Sequence, residues 1–316
     1  MSRPIQMFLV VLALAALVVP AVSEDLEQLL TRVGEQYAKG YAAPLVSAWG
    51  ANQNSALYHT ADIPHTGLTF AVGLKFMGTH LNEDDQTFQT VLQDVELSNF
   101  LPTGHPFYNA TGDVVMRGPT IFGDTETDGT MTAYVGGLPV YQFDAIPGLV
   151  DTRWVPLAAP QLDVGGIYGL RASLRWVPEV DVGDYGKTKY VGYGLSWSPG
   201  FLLPPLPVDV MVGFFTQQID VGTIVETDAT SFYLAASKNL GLITGYAGVA
   251  AESSSLKVAY TFEEPGFDPV DVDFTLDGEQ SARFTLGATL NGPVKLNVEM
   301  NVGTLAVYSA GIMFGM

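Results

Sequence analysis

Apolar and polar residues alternate with a period of two along most of the chain after residue 66. Successive side chains of a strand point to opposite faces of a sheet, so this period predicts strands that have one apolar face. In the first such segment the apolar positions are Leu68, Phe70, Val72, Leu74 and Phe76. The pattern predicts ten strands, at 66–79, 160–177, 187–199, 206–219, 229–238, 242–251, 254–263, 281–291, 293–302 and 304–316.

Three further regions complete the predicted elements. Leu26, Leu29, Leu30, Val33 and Tyr37 recur at helical spacing, which predicts one amphipathic helix over residues 25–40. Residues 45–59 are consistent with an eleventh strand. The stretch 80–159 is harder to interpret, because repeated prolines divide it into short β-like pieces.

The first 23 residues predict a secretory signal peptide. Arg3 gives a basic start, an apolar run follows, and Ala21-Val22-Ser23 forms a small-x-small cleavage site. The run is shorter than the roughly 20 residues that a membrane-spanning helix needs. We interpret residues 24–316 as the mature chain, folded as a single domain.

Composition leaves two classes of exported β-protein. The chain is 47% hydrophobic and 15% charged, it has no cysteine, and no later segment is apolar enough for a spanning helix. Either a soluble sandwich or a membrane barrel can show strict alternation. One face of each predicted strand carries large apolar residues along its whole length, and the opposite face is rich in Gly, Thr and Ser. This division favours a barrel with a polar lumen.

The C-terminal residues also favour a barrel of the bacterial outer membrane. Met316, Phe314 and Ile312 share one face of a final strand, a pattern typical of strands that the barrel insertion machinery binds. Bacterial single-chain barrels have even strand numbers, so we predict an antiparallel transmembrane barrel of 12 to 14 strands with one N-terminal amphipathic helix. The helix would cover the lumen or the periplasmic rim.

Several short motifs spread over most of the mature chain are shared with a known family. They are Leu57-Tyr58-His59-Thr60-Ala61 followed by His65 and Gly67, Pro119-Thr120-Ile121-Phe122-Gly123, Pro160-Gln161-Leu162, Arg175-Trp176-Val177-Pro178 and Leu206-Pro207-Val208-Asp209. Through them the sequence resembles a family of predicted outer-membrane proteins described only as a domain of unknown function. Its layout alone is similar to that of the long-chain fatty-acid transporter superfamily. The resemblance implies a barrel and no activity.

Charge and motifs exclude several functions. The 33 acidic residues outnumber the 14 basic ones, which are scattered, so no nucleic-acid partner is expected. No catalytic motif occurs, and we expect no enzyme activity and no cofactor. Asp124–Gly129 resembles the start of a calcium loop but lacks the twelfth-position glutamate, and His59 and His65 are interpreted as polar rim residues, so no metal is expected.

The candidate functional residues are charged side chains on the predicted lumen faces. They are Lys75, Arg171, Arg175, Lys257, Arg283, Lys295 and Glu299. A charge inside a barrel must be hydrated or paired, so the set indicates either a water-filled path, which its basic excess would make anion-favouring, or an internal salt-bridge network.

Two functions follow from this interpretation. The first is an integral outer-membrane conduit, passive or gated, for small or hydrophobic molecules. The alternative is a non-transporting barrel that serves as a structural scaffold, a secretion or assembly component, or an adhesin. The expected partners are outer-membrane lipid and the barrel insertion machinery. If the last strand descends to the periplasm, the Asn291-Gly292-Pro293 turn is periplasmic and the acidic connection 263–280 is extracellular.

Overall fold

The computed structural model of the protein describes residues 22–144, 147–181, 187–200, 202, 206–222, 225–262 and 270–315. The predicted signal peptide lies outside these residues except for Val22 and Ser23. The described residues form one long helix, α1 (Val22–Gln53), and fifteen strands. The strands are β1 (Thr69–His80), β2 (Thr87–Glu96), β3 (Thr111–Pro119), β4 (Thr130–Val135), β5 (Leu138–Asp144), β6 (Trp154–Ile167), β7 (Leu170–Asp181), β8 (Lys187–Trp197), β9 (Asp209–Val221), β10 (Val225–Asn239), β11 (Ile243–Phe262), β12 (Val270–Asp277), β13 (Ala282–Leu290), β14 (Val294–Val302) and β15 (Ala306–Gly315).

Ten of these strands form a closed antiparallel barrel. The ring runs β1, β6, β7, β8, β9, β10, β11, β13, β14, β15 and returns to β1, where Ala71–His80 pairs with Ala306–Gly315. The long strand β11 pairs with β13 through its first half and with the extra strand β12 through its second half. Because β12 and β13 lie end to end along β11, they occupy a single position in the ring.

The prediction of 12 to 14 barrel strands was wrong, and the described chain shows why. The proline-rich stretch 80–159 adds only the last residue of β1 and the first part of β6 to the barrel, and its other strands form a separate sheet in the order β2-β3-β4-β5. Residues 45–59, predicted as a strand, instead complete helix α1 and continue into the lumen. Helix α1 ends at a turn in which Asn54 N donates to Gly50 O and Ser55 N donates to Asn52 O.

Two predicted strand boundaries were also wrong, in opposite directions. Residues 160–177 form a hairpin of β6 and β7, because Tyr168 and Gly169 both adopt positive φ and reverse the chain. Segments 242–251 and 254–263 are one strand, β11, which passes through its polar stretch without a break. The predicted acidic loop 263–280 contains β12, and its residues 263–269 lie outside the described chain.

The outer face of the barrel is a belt of exposed apolar side chains. On β14 every outward residue is apolar, from Val294 to Val302, and β1, β7, β13 and β15 continue the belt. Its larger members include Phe70, Val72, Leu174, Trp176, Phe284, Leu286, Val298, Ile312 and Phe314. No element among the described residues covers this belt. No helix in the described part of the chain is both long and apolar enough to cross a membrane.

The two ends of the barrel differ. At one end, which we call the turn end, three of the connections are Tyr168-Gly169, Leu240–Leu242 and Asn291–Pro293, and a longer one joins β8 to β9. At the other end, the lobe end, residues 81–153 leave the barrel and fold into the β2–β5 sheet. On β9, β10 and β11 the outer face becomes polar toward the lobe end, at Gln218, Asp228 and Ser253 among others.

Candidate functional site

The segment that precedes β1 lies inside the barrel and enters it from the lobe end. We call residues 44–66 the plug. On β1 the Thr79 hydroxyl donates to the carbonyl of Ala48 over 3.1 Å. The side-chain amide of Asn52 donates to Val155 O on β6 over 2.7 Å. Thr79 and Val155 both lie at the lobe-end edge of the barrel, so this edge holds the last turns of α1.

The same segment leaves the lumen at the turn end. The backbone N–H of Ala61 donates to the Ser237 hydroxyl near the end of β10, over 3.0 Å. The carbonyl of His65 accepts a 3.0 Å hydrogen bond from the N–H of Tyr168 in the β6–β7 turn. An eight-stranded barrel is nearly filled by its own side chains, so ten strands leave room for one peptide segment. The plug therefore runs through the whole lumen.

Arg175 on β7 is fully buried and binds the end of helix α1. Its guanidinium donates to Gln53 O (2.9 Å) and Ser55 O (2.8 Å), and to the side-chain oxygens of Gln161 (3.0 Å) and Gln217 (3.3 Å). The last carbonyls of a helix lack partners within it and carry the negative end of its dipole. Because α1 has no basic residue in its last turn, the barrel wall supplies the cation and the donors.

A buried ion pair on the adjoining part of the wall also contacts this turn. Arg283 on β13 and Glu252 on β11 approach within 3.3 Å, and both side chains are almost completely buried. The Arg283 guanidinium donates to the Ser55 hydroxyl over 3.2 Å. Gln280 donates to the second carboxylate oxygen of Glu252 over 2.5 Å. The pair thus offers the plug a polar contact while its own charges compensate each other.

Glu299 on β14 binds the plug through its backbone. One carboxylate oxygen accepts the N–H of Ala56 over 2.6 Å and the side-chain amide of Asn301 over 2.9 Å. The other oxygen accepts the Tyr246 hydroxyl over 3.1 Å. Hydrogen bonds to a charged acceptor are stronger than neutral ones. Glu299 therefore fixes the position at which the plug changes from helix to extended chain.

Three tyrosines pack where the plug passes the middle of the lumen. The ring of Tyr58 stacks on Tyr233 with 5.1 Å between centroids and meets Tyr246 edge-on at 5.8 Å. A Cβ on Gly248 would lie 2.1 Å from the Tyr58 hydroxyl oxygen. Only glycine at this wall position leaves space for the Tyr58 side chain.

Arg171 and Lys75 complete the charged contacts toward the turn end. The Arg171 guanidinium donates to the carbonyls of Thr60 (3.2 Å) and Asp62 (3.0 Å). Lys75 is fully buried, and its ammonium donates to Asn297 over 3.0 Å. Arg171, like Arg175, thus binds backbone carbonyls of the plug.

The remaining predicted lumen residues lie elsewhere. Lys295 lies at the turn end, where with Arg171, Asp163 and His59 it lines a cavity of about 340 Å³. Lys257 points outward and forms an exposed 3.4 Å ion pair with Asp273 on β12, so its predicted lumen position was wrong. Its neighbours Leu256 and Val258 point inward and join the apolar core around α1.

The arrangement contains one element of the predicted salt-bridge network, the buried pair of Arg283 and Glu252, but most of the predicted charges have other partners. The charged residues buried in the described barrel are four cations, Lys75, Arg171, Arg175 and Arg283, and three anions, Asp163, Glu252 and Glu299. This near balance removes the basic excess on which the anion preference rested. Arg171, Arg175 and Glu299 bind the backbone of the plug, whereas a salt-bridge network would join them to one another.

Neutral polar residues of the wall were missed by sequence reasoning. Gln161 donates to Leu57 O over 3.2 Å, Gln217 donates to Gln53 O over 2.5 Å, and the Thr289 hydroxyl donates to the carbonyl of His59 over 2.7 Å. Thr289 shares the inner face of β13 with Arg283, whereas Gln161 on β6 and Gln217 on β9 lie on strands without a predicted charge, where the polar side of the alternation was the available signal.

The calcium-like loop is held by its own hydrogen bonds. No group of three or more potential metal-binding side chains occurs among the described residues. In the calcium-like loop, Asp124 accepts the Thr127 hydroxyl at 2.6 Å and the N–H of Glu126 at 2.8 Å. These hydrogen bonds, that from Thr127 first, lower the pKa of Asp124, and they stabilise the local turn.

These contacts define a class of protein, a closed ten-stranded β-barrel filled by its own N-terminal segment. The chain belongs to a family of unknown function, DUF6588, whose model matches residues 1–316. The predicted membership of an uncharacterised barrel family is thereby confirmed. A comparison with curated proteins finds no match to the sequence.

Solved structures of outer-membrane barrels are similar to the chain at low level. The loop L8 deletion mutant of OmpT, an outer membrane protein of Vibrio cholerae, is 9% identical over 79% of this chain and 99% of its own, with a TM-score of 0.25. The transport unit of the autotransporter AIDA-I from Escherichia coli is 9% identical over 85% and 97%, with a TM-score of 0.25. The barrel fold of this chain is defined by its own strand pairing, which closes between β1 and β15.

Proposed function

We propose that the chain is an integral barrel of a bacterial outer membrane and acts as a gated conduit for small molecules, closed at rest by the plug. The observation that carries the proposal is the combination of an uncovered apolar belt outside and a polar lumen, in which the plug is held by non-covalent contacts alone. Outer-membrane lipid on the belt and the insertion machinery on β15 are the proposed partners. The proposal includes no catalysis.

The belt supports insertion into a bilayer. Soluble proteins rarely expose continuous apolar patches larger than a few hundred Å², whereas in this barrel outward apolar side chains follow one another around the ring. Detergent-extracted protein should migrate faster in gel electrophoresis before heating than after it. Recovery of the folded chain as a soluble monomer without detergent would refute the proposed membrane location.

The contacts of the plug support gating. Hydrogen bonds each contribute about 0.5–1.5 kcal/mol, and those to charged groups about 1.5–3 kcal/mol, so the plug is held by many moderate interactions. When the plug moves, water can replace it against a wall that includes Arg175, Gln161 and Gln217. Passage of a solute therefore requires plug displacement, and the wall can remain solvated afterwards.

Planar-bilayer recording tests the conduit. We expect the wild-type protein to show rare, brief steps of conductance, and Arg175→Met to open more often because the end of α1 loses its cation. Arg153→Met is the matched control, since Arg153 lies outside the barrel in a surface ion pair with Glu83. Folded, inserted protein without discrete openings in any of the three would exclude the conduit.

One observation favours the alternative, a non-transporting barrel. The β2–β5 sheet and the first half of α1 form a lobe outside the ring, with the Tyr37 ring 4.8 Å from that of Phe88. Such a lobe suits a scaffold or adhesin, whose plug would be a permanent filling. Absence of conductance together with normal insertion is the result that this alternative requires.

A further inference from the structure

The N-terminal segment has one direction through the barrel. In the lobe, the carbonyl of Tyr41 accepts the N–H of Ile121 over 3.1 Å. Farther along, Ala48 and Asn52 lie at the lobe-end edge. The chain then passes Arg175 in the middle of the lumen and reaches the turn end at His65. The first half of α1 and the start of β1 therefore lie at opposite ends of the barrel.

The two ends can be assigned to the two sides of an outer membrane. Periplasmic connections in such barrels are short, and extracellular ones are longer. The turn end has three connections of two or three residues and one of eleven, 198–208, and the lobe end has two of three residues, 222–224 and 303–305, so the two ends differ in their longest connections. The lobe end has the excursion 81–153, and there the outer faces of β9–β11 turn polar beyond the belt. Both features place the lobe end outside the cell and residue 315, at the end of β15, on the periplasmic side.

We infer that the first half of α1 lies at the cell surface and that the N-terminal segment has crossed the outer membrane within its own barrel. This rests on the proposed membrane location and deepens it, because it identifies a peptide segment of this chain as one cargo that the lumen accommodates. β1 begins at the periplasmic end, so a segment left in the periplasm could join β1 without entering the lumen at all. The observed path through the lumen, from the far end, requires that the segment has crossed.

The wall of the lumen fits a peptide cargo. Its side chains donate to plug carbonyls at Gln53, Ser55, Leu57, His59, Thr60 and Asp62, and accept plug N–H groups at Ala56 and Ala61. Backbone groups inside a membrane barrel must be satisfied by such partners, because lipid supplies none. These eight contacts are to the polypeptide backbone, and plug side chains such as Ser55 and Tyr58 add further contacts to the wall.

Cysteine labelling tests the inference cleanly, because the natural chain has no cysteine. Three single variants are compared in the full-length protein: Gln36→Cys on the exposed side of α1, Glu126→Cys in the lobe, and Gly292→Cys in a turn-end connection. All three positions are exposed. A membrane-impermeant maleimide is applied to intact cells and to cells whose outer membrane has been permeabilised. Heat-modifiable migration verifies that each variant is folded.

We expect Gln36→Cys and Glu126→Cys to react on intact cells, and Gly292→Cys to react at least ten times more after permeabilisation. Reaction of Gln36→Cys only after permeabilisation would overturn the inference. If Glu126→Cys alone reacts on intact cells, the membrane location and the sidedness of the barrel are supported, and only the crossing of the N-terminal segment is refuted. Labelling of Gly292→Cys alone on intact cells would refute the sidedness and the crossing together. Failure of the proposed membrane location would show itself differently, as soluble chain without heat-modifiable migration.

Discussion

Arg175 connects the plug to three strands of the barrel wall. It extends from β7, binds the backbone at two plug residues, and contacts Gln161 on β6 and Gln217 on β9. A buried cation of this kind is strongly stabilising only while all its partners are present. Its contribution therefore depends on the plug, and the plug's position depends on it.

Arg175→Met should lower the free energy of unfolding by about 2–4 kcal/mol, because it leaves Gln53 O and Ser55 O buried without this donor. The matched variant Arg153→Met removes an ion pair with the exposed Glu83 and a 3.2 Å hydrogen bond to Leu81 O, and should cost less, about 1 kcal/mol. Urea unfolding of the detergent-folded proteins, followed by tryptophan fluorescence, measures both. Equal losses for the two variants would show that Arg175 does not hold the plug.

The sequence predicts on which face of a strand a side chain lies, but it does not predict which residue that side chain contacts. Alternation places Arg171 and Arg175 opposite Leu174 and Trp176, as in the structure. It gives no sign that carbonyls of residues 53–62 are their partners, because that contact depends on tertiary structure. At Lys257 the side was wrong as well, since β11 there leaves the belt and its apolar face turns inward toward α1.

At the scale of elements, helix α1 approaches the wall very closely at Gly50. A Cβ at this position would lie 2.3 Å from the Cβ of Ser254 on β11. Glycine therefore lets the helix enter the barrel beside β11. Gly245, on the same strand, has no atom within 4 Å of a built Cβ and provides a comparison.

Gly50→Leu should displace the C-terminal part of α1 from the barrel wall, because overpacking of a filled interior costs about 1–3 kcal/mol. Limited proteolysis of the folded protein should then cut the plug several times faster than in the wild type. Gly245→Leu should leave the rate unchanged. Unaltered proteolysis of the Gly50 variant would mean that the helix does not pass this close to β11.

The errors in element boundaries have a common physical cause. A turn of two residues, as at Tyr168-Gly169, leaves the alternation of apolar positions in phase, so β6 and β7 looked like one strand. The predicted break at residues 252–253 fell where the sequence turns polar, yet the outer face of β11 is polar there and Glu252 pairs inward with Arg283. Period alone cannot separate a hairpin from a long strand, or a turn from a strand that leaves the belt.

At the scale of the whole molecule, the all-β class, the apolar outer faces and the presence of an N-terminal helix could be predicted. The helix is longer than the predicted 25–40, and around Tyr37 it packs against the lobe instead of covering the lumen or the periplasmic rim. The strand number could not, since whether β2–β5 join the ring is decided by pairing partners. The path of the plug could not be predicted from the sequence either. Residues 41–53 continue as a helix into the lumen, and the lumen exists only when the ring of strands is closed.

The belt gives a prediction for the assembled protein. Leu286→Arg places a charge on the apolar outer face of β13, where, in the proposed membrane, it should cost about 2–4 kcal/mol or prevent insertion. Ser253→Arg is the control, because Ser253 points outward beyond the belt on β11. The yield of heat-modifiable barrel from the membrane fraction should fall for Leu286→Arg alone. Similar yields would contradict the assignment of the belt to lipid.

The most direct test of the account is a reversible bond between plug and wall. The hydroxyls of Thr60 and Ser237 lie 3.2 Å apart, so cysteines at both positions should form a disulfide in the folded protein under mild oxidation. The account predicts a mobility shift in a non-reducing gel, loss of any conductance, and recovery of conductance with a reductant. The pair Thr60→Cys with Ser253→Cys, on the outer face, should not cross-link. Two thiols of the Thr60 and Ser237 variant that stay free in the folded, oxidised barrel would contradict a lumen closed by its own N-terminal segment.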